Sequence, residues 1–116
     1  MNQILRFNFA SNELHIDGVF SPVAFPWPIA QVVNCGTMLI VRIEPEPGTC
    51  FNENVFGVRP DGSITWTIAP RKHVYNDSPY TSLALRDGGV MLYNWDGDEL
   101  LVEAQTGQII SQGYGK

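Results

Sequence analysis

The residues best suited to catalysis lie in two short stretches of the sequence. His73, Asp77 and Ser78 are the residue types of a base, an orienting acid and a nucleophile. A serine hydroxyl is a weak nucleophile unless a base activates it, and no nucleophile-elbow motif or recognisable oxyanion donor accompanies Ser78. Asp96 and Asp98 flank a single glycine, which is typical of a hairpin turn. We therefore predict that the protein is not an enzyme, and a small hydrolase is kept only as an alternative.

Metal ions and nucleic acids are poor matches for this composition. His15 and His73 are far apart, and Cys35 and Cys50 lack the spacing of zinc ligands. The run 94–99 lacks the spacing of a calcium-binding loop. A formal net charge of −5 disfavours contact with phosphates, which requires clustered lysine and arginine. We predict no metal, no cofactor and no nucleic acid, and an acidic protein of this kind suits a basic protein partner.

Short apolar runs separated by turn sequences occur twice in the same order. Between residues 80 and 113 the runs are 82–86, 90–94, 99–104 and 108–112. Between residues 28 and 70 they are 30–33, 38–43, 54–58 and 63–68. Runs of this length with glycine-containing turns indicate strands, and an internal repeat indicates two copies of one unit. We predict two antiparallel four-stranded meanders in which Leu39 corresponds to Leu92, Val58 to Val102 and Ile64 to Ile109.

The N-terminal segment predicts half of such a unit. Residues 3–10 and 13–17 alternate between apolar and polar positions, which predicts a hairpin with Leu5, Phe7 and Phe9 facing the core. Residues 18–28 contain three prolines and predict an extended connection. The chain is therefore expected to form one all-β domain over 1–116, with a half unit at 1–20 and full units at 28–70 and 80–113.

The turn and strand at 61–66, with their counterpart at 106–110, resemble the outer hairpin of β-propeller blades of the quinoprotein-dehydrogenase type. The resemblance implies about two and a half propeller-like blades, which form an incomplete propeller. Because so few blades cannot close a ring, open sheet edges and faces would remain. A homodimer that completes the ring is one alternative that follows from this.

Alternating strands place successive connections at opposite ends of a sheet. The short turns at 11–12, 35–36, 61–62, 87–88 and 106–107 should share one end, and the long connections the other. Elaborated loops on a plain scaffold indicate a working surface, and aromatic side chains are enriched at protein interfaces. Asp17 and Glu99 would add acidic charge to it. The predicted partner-binding residues are Trp27, Glu44, Glu46, Glu53, His73, Tyr75, Asp77, Tyr80, Trp95, Asp96 and Asp98. A competing interpretation of Trp27, with Phe20 and Phe25, is that these rings cover a sheet edge.

A small, acidic, incomplete propeller resembles certain immunity proteins of bacterial contact-dependent growth inhibition systems. The repeated meander and the acidic loops 44–53 and 95–99 carry this resemblance. It implies a stoichiometric inhibitor whose acidic, aromatic-bearing face covers the active site of a basic toxin such as a nuclease. The alternative is a self-assembling β module with no toxin partner.

The expected location is the cytoplasm. The first residues lack the basic segment and long apolar run of a secretory signal, and no apolar run reaches 18 residues. We therefore expect no membrane association. Cys35 and Cys50 are expected to be free thiols, as suits a reducing compartment.

Overall fold

The structure, a computed structural model, describes residues 6–72, 76–87 and 89–114. In this part of the chain all regular elements are β-strands, and they form three antiparallel sheets. The strands are β1 Phe7–Ala10, β2 Glu13–Ile16, β3 Val23–Ala24, β4 Ile29–Asn34, β5 Leu39–Ile43, β6 Val55–Val58, β7 Ile64–Thr67, β8 Tyr80–Arg86, β9 Gly89–Asn94, β10 Asp98–Val102 and β11 Ile109–Tyr114. Within these ranges there is no helix long and apolar enough to cross a membrane.

The two predicted meanders are confirmed. The middle sheet has the strand order β4-β5-β6-β7, and the last sheet has the order β8-β9-β10-β11. Their outer turns match closely, because Gly62 and Gly107 both have positive φ angles, of 90° and 75°. Equivalent backbone hydrogen bonds close these turns, from Arg59 N to Ser63 O and from Glu103 N to Gln108 O, both at 2.9 Å. The correspondence of Ile64 with Ile109 is therefore correct.

The correspondence between β5 and β9 differs from the prediction by two residues. The residue after each strand, Glu44 or Trp95, donates its N–H to the carbonyl of the proline that precedes the sheet's first strand, at 2.8 and 3.0 Å. With these positions matched, Leu39 corresponds to Val90 rather than to Leu92. The predicted correspondence aligns Met38-Leu39 with Met91-Leu92 because the same pair of residues occurs in both segments. A shift of two residues keeps each side chain on its predicted face, since strand side chains alternate.

The first sheet contains a strand that the sequence did not reveal. β3 pairs with β2 through Val23 opposite Leu14, so the predicted hairpin at 1–20 is a three-stranded sheet that extends to residue 24. Phe25 N also donates to Asn12 O at 2.9 Å. Pro22 and the following prolines flank this two-residue strand without entering it. A ladder this short is compatible with the prolines that predicted a connection.

The added strand reverses the predicted orientation of the first sheet. We call the end that carries the connections after β5, β7 and β9 the loop end, and the opposite end the turn end. Ile29, which begins β4 at the loop end, donates its N–H to Ser11 O at 2.8 Å. Val19 lies at the turn end, 3.1 Å from the place that a Cβ on Gly62 would occupy. The 11–12 turn is therefore at the loop end and Asp17 is near the turn end, both opposite to the prediction.

The middle sheet is buried on both faces. In β5 the side chains of Leu39, Val41 and Ile43 pack toward the first sheet, while Ile40 packs toward the last sheet. All of β5 is buried, which explains why four of its five residues are apolar, with Arg42 as the exception. The prediction for β1 is only partly confirmed, because Phe7 packs on this core but Phe9 is 40% exposed on an edge strand. Leu5 lies outside the described residues.

Candidate functional site

A buried asparagine joins the middle and last sheets at the loop end. Asn54 Nδ2 donates to Ile43 O at 2.9 Å and to Tyr80 O at 3.0 Å, and Asn54 Oδ1 accepts from Tyr80 N at 2.8 Å. The side-chain amide therefore makes the two hydrogen bonds to Tyr80 that the backbone of a neighbouring strand would make. Gln31 makes the same two-bond contact nearer the middle of the sheets, with Leu83 N and O at 2.9 and 2.8 Å. These amides fix the start of β8 relative to β4 and β5.

A second asparagine ties the acidic loop after β5 to the segment before β8. Asn52 Nδ2 donates to Asn76 O at 2.8 Å, and Asn52 Oδ1 accepts from Ser78 N at 2.8 Å. Asn94 Nδ2 then donates to Ser78 O at 2.8 Å. Ser78 is fully buried, so its hydroxyl is not placed as an accessible nucleophile. Hydrogen bonds therefore join the connections of the loop end to one another, and they form one continuous surface.

Among the described residues of the loop end, Trp95 has the most exposed aromatic side chain, with 58% of its surface accessible. It immediately follows β9 and forms a wall of a depression of about 530 Å³, which we call the first depression. The other lining residues are Glu44, Asp77, Pro79 and Thr81. An exposed indole beside two carboxylates is suited to a ligand that is cationic and partly apolar.

Trp95 and Thr81 also line a second depression, of about 380 Å³. Its other lining residues are Tyr93, Asn94, Gly97, Asp98 and Glu99. Tyr93 and Trp95 are two residues apart at the end of β9, so their side chains lie toward the same face of the last sheet. The exposed indole therefore borders two acidic hollows.

Few basic side chains neutralise these carboxylates. In the described ranges the ion pairs are His15–Glu13 at 3.5 Å, Arg42–Glu44 at 3.7 Å and Arg71–Asp98 at 2.9 Å. Arg71 also donates to Gln112 Oε1 at 2.8 Å, which fixes it across the sheet end. Within the same ranges Asp77 and Glu99 have no basic group within 4.0 Å. Each depression therefore retains one carboxylate that has no ion pair with the part of the chain that the structure describes.

The comparisons with known proteins give a family and no activity. Residues 4–114 match the family described as Domain of unknown function (DUF7957). The chain belongs to this family. No curated protein and no solved structure matches it. The function must therefore be argued from the chain's own surface.

Four of the predicted partner-binding residues lie around the two depressions. Glu44, Asp77 and Trp95 line the first, and Asp98 lines the second together with Trp95. Glu46 and Glu53 belong to the acidic loop, where Glu46 is exposed and Glu53 is half-buried. His73 and Tyr75 lie outside the described residues.

Three predicted residues are placed differently. Tyr80 is 1% exposed and Asp96 is 4% exposed, so neither can present its side chain to a partner. Asp96 instead accepts a hydrogen bond from Asp98 N at 3.2 Å within the hairpin turn, and Tyr80 belongs to the core between the sheets. Trp27 is half-buried, with its ring 4.8 Å from that of Phe51, as the edge-covering interpretation expects.

Sequence reasoning missed Tyr93, Thr81 and Pro79 as members of this surface. Tyr93 could have been found, because it lies two residues before the exposed Trp95, whose N–H continues the strand pairing one residue beyond β9, so the two side chains share a face. Pro79 and Thr81 carry no such signal, since their position depends on how β8 meets the acidic loop. Glu99 had been counted only as part of the overall charge of this end.

Tyr80 gives a pH-dependent prediction. Burial raises the pKa of its phenol from 10.0 to about 12, and Arg71 opposes this shift while Asp98 adds to it. Because the pKa is higher in the folded protein, the fold should keep its full stability below pH 10 and lose stability as Tyr80 ionises between pH 10 and about 12. In the Tyr80→Phe variant, we expect the free energy of unfolding, measured with urea, to depend less on pH over that window. At pH 7 the change should be nearly neutral, since the hydroxyl has no partner among the described residues. If the free energy of unfolding falls with pH equally in the variant and the unmodified protein, the prediction is wrong.

Metal and thiol chemistry find no support in the described residues. Within them no three His, Cys, Asp or Glu side chains are grouped to hold a metal ion. Cys35 is half-buried and Cys50 is exposed, and both are free thiols as the sequence predicted. Cys50 Sγ donates to Asn76 O at 3.0 Å, which adds to the contacts of the acidic loop.

Proposed function

We propose that the protein binds a basic protein partner through its loop end, with Trp95 as the central contact. The observation that carries this proposal is the exposed indole that borders two acidic depressions. Tryptophan is among the side chains that contribute most to protein interfaces, and surrounding carboxylates steer a basic partner toward it. The amide contacts of Asn52 and Asn54 hold the surface in place before binding, which reduces the entropy lost on association.

The partner proposed here is a basic toxin such as a nuclease, and the protein would be its non-catalytic, cytoplasmic inhibitor. The support is the acidic loop end together with the resemblance to immunity proteins. A nuclease active site attracts phosphates and is therefore basic, so an acidic surface with a protruding ring is complementary to it. Bound there, the loop end would exclude substrate by occupying the site.

The test uses a purified basic nuclease toxin, chosen from the genes that neighbour the gene of this chain, and mixes it with the chain. We expect inhibition at a 1:1 ratio and an association rate that falls as salt is raised. Replacing Glu46 and Asp77 with lysine should slow association by about tenfold or more. The matched control replaces Asp17 and Asp87 with lysine, which changes the net charge equally while leaving the loop end untouched, and should have a much smaller effect.

The proposed function would be abandoned if the loop-end and control variants slowed association equally, because only the net charge would then matter. It would also fail if the neighbouring basic protein remained fully active with excess inhibitor. Titration of the toxin activity and stopped-flow association measure these two properties separately.

Self-assembly is the second candidate, and it is favoured by one surface. The outer face of the last sheet carries Ala84, Met91, Tyr93 and Leu101, all half-buried and not covered by another described strand. Four strands of about six residues give a face of roughly 400 Å², from the usual strand spacing and rise. Stable interfaces bury about 800 Å² on each partner. We therefore expect a monomer by light scattering at micromolar concentration, and a dimer would favour this second candidate.

A further inference from the structure

The two depressions beside Trp95 indicate what the partner presents. Resting on the proposed function, we infer that the partner places two basic side chains here, one in each depression, from positions i and i+2 of an extended segment. The inference goes beyond a general acidic surface, because it states the number of cations, their spacing and the conformation of the segment that carries them.

One uncompensated carboxylate in each depression sets the number of cations. Arg42 lies 3.7 Å from Glu44 in the first, and Arg71 lies 2.9 Å from Asp98 in the second. Asp77 and Glu99 have no such neighbour in the described part of the chain. Each hollow can therefore accept one positive charge, while a second charge in the same hollow would meet Arg42 or Arg71.

Trp95 explains why the cations flank a ring. The faces of an indole carry negative potential, and tryptophan is the aromatic residue that binds cations best. The side chain is 58% exposed and lines both hollows, so it is accessible from each. Tyr93 adds a second ring in the second depression, where Arg86 Nη2 donates to its hydroxyl at 2.8 Å and fixes its position.

The spacing follows from the thickness of the ring. Our inference places one cation on each face of the indole, and two groups stacked there, each at about 3.5 Å, are about 7 Å apart. Residues i and i+2 of an extended chain are separated by about 6.6 Å and point to the same side. Adjacent residues point to opposite sides, so two neighbouring basic residues cannot both reach the surface around Trp95.

Three acetylated and amidated peptides test this spacing at low ionic strength. They are Gly-Arg-Ser-Arg-Gly, Gly-Arg-Arg-Ser-Gly and Gly-Arg-Ser-Ser-Gly. The indole N–H signal of Trp95, assigned in nitrogen-15 spectra by its loss in Trp95→Phe, reports binding. We expect the first peptide to bind about tenfold more tightly than the other two, because its second arginine binds from an already tethered position. Equal affinities of the three peptides would overturn the inference.

Charge-neutralising variants then separate the two hollows. Asp77→Asn or Glu99→Gln should each reduce the affinity of the first peptide to that of the single-arginine peptide. Glu13→Gln, on the first sheet, is the matched control and should change nothing. If neither loop-end variant alters peptide binding, the inference is wrong. The proposed function would still stand in that case if replacing Glu46 and Asp77 with lysine slowed association with the basic protein. If instead the peptides bind as expected but those lysine replacements do not slow association with the basic protein, the proposed function is wrong and the peptide site remains.

Discussion

Replacing Asn54 with alanine is expected to lower the free energy of unfolding by about 3–4 kcal/mol. Asn54 is fully buried and makes three hydrogen bonds, two of them to the backbone of Tyr80 and one to Ile43 O. Removing the amide leaves these backbone groups buried without partners. An unsatisfied buried polar group costs about 1–3 kcal/mol, which is more than a hydrogen bond contributes when both partners are lost together.

Urea denaturation measures this effect, and two variants control for it. Asn52→Ala removes a similar amide that is only half-buried, so we expect a cost of only about 1 kcal/mol. Asn54→Asp keeps an acceptor for Tyr80 N but loses both donated bonds and buries a charge, so it should not restore stability. A cost below about 1 kcal/mol for Asn54→Ala would show that the sheets are joined mainly by apolar packing.

Local sequence patterns predicted most of the fold because each strand of the two meanders carries its own signal. β5 is apolar except for Arg42, and Gly62 and Gly107 mark equivalent turns. β3 could not be predicted, since two residues between prolines have no periodicity. Its omission had a non-local consequence, because one missing strand changes the direction of every strand before it. The ends of the first sheet were reversed for that reason.

The sequence predicted the residue types of the candidate site, but it predicted the positions of only some of these residues. Acidic residues and tryptophan in the loops indicate a binding surface, but the same reasoning predicts Tyr80 and Asp96 as partner-binding residues although both are buried. Tyr80 begins a strand whose first side chain packs into the core between the sheets, and Asp96 folds back onto its own turn. Polar residues in loops can be either exposed or buried by neighbouring segments, and the sequence of one loop does not record which neighbour covers it.

The repeat itself accounts for part of the site. Glu44 and Trp95 occupy equivalent positions, one residue beyond the second strand of each meander, where each N–H bonds to a proline carbonyl. Since the two sheets pack side by side, equivalent positions come near each other at one end, and both residues line the first depression. A single structural position has thus supplied a carboxylate in one copy and an exposed ring in the other.

Replacing Gly57 with alanine is expected to cost about 3 kcal/mol, because the new Cβ would collide with Trp66. Gly57 pairs with Trp66 between β6 and β7, and a Cβ there would be closer than 3.0 Å to three indole atoms. The indole cannot move away easily. Its Nε1 donates to Ala104 O at 2.8 Å, and the ring also lies against Gly107. Urea denaturation of Gly57→Ala measures the cost.

A double-mutant cycle assigns this cost to the collision. Trp66→Leu alone should be destabilising by about 3 kcal/mol, since it leaves a cavity and removes the bond to Ala104. In that background the Cβ at residue 57 enters vacated space, so Gly57→Ala should cost less than about 1 kcal/mol. Equal costs in both backgrounds would contradict the contact and point to backbone strain at Gly57. Because Trp66 joins the middle and last sheets at the turn end as Asn54 does at the loop end, the two sets of variants together measure how firmly the last sheet, which carries Trp95, is held.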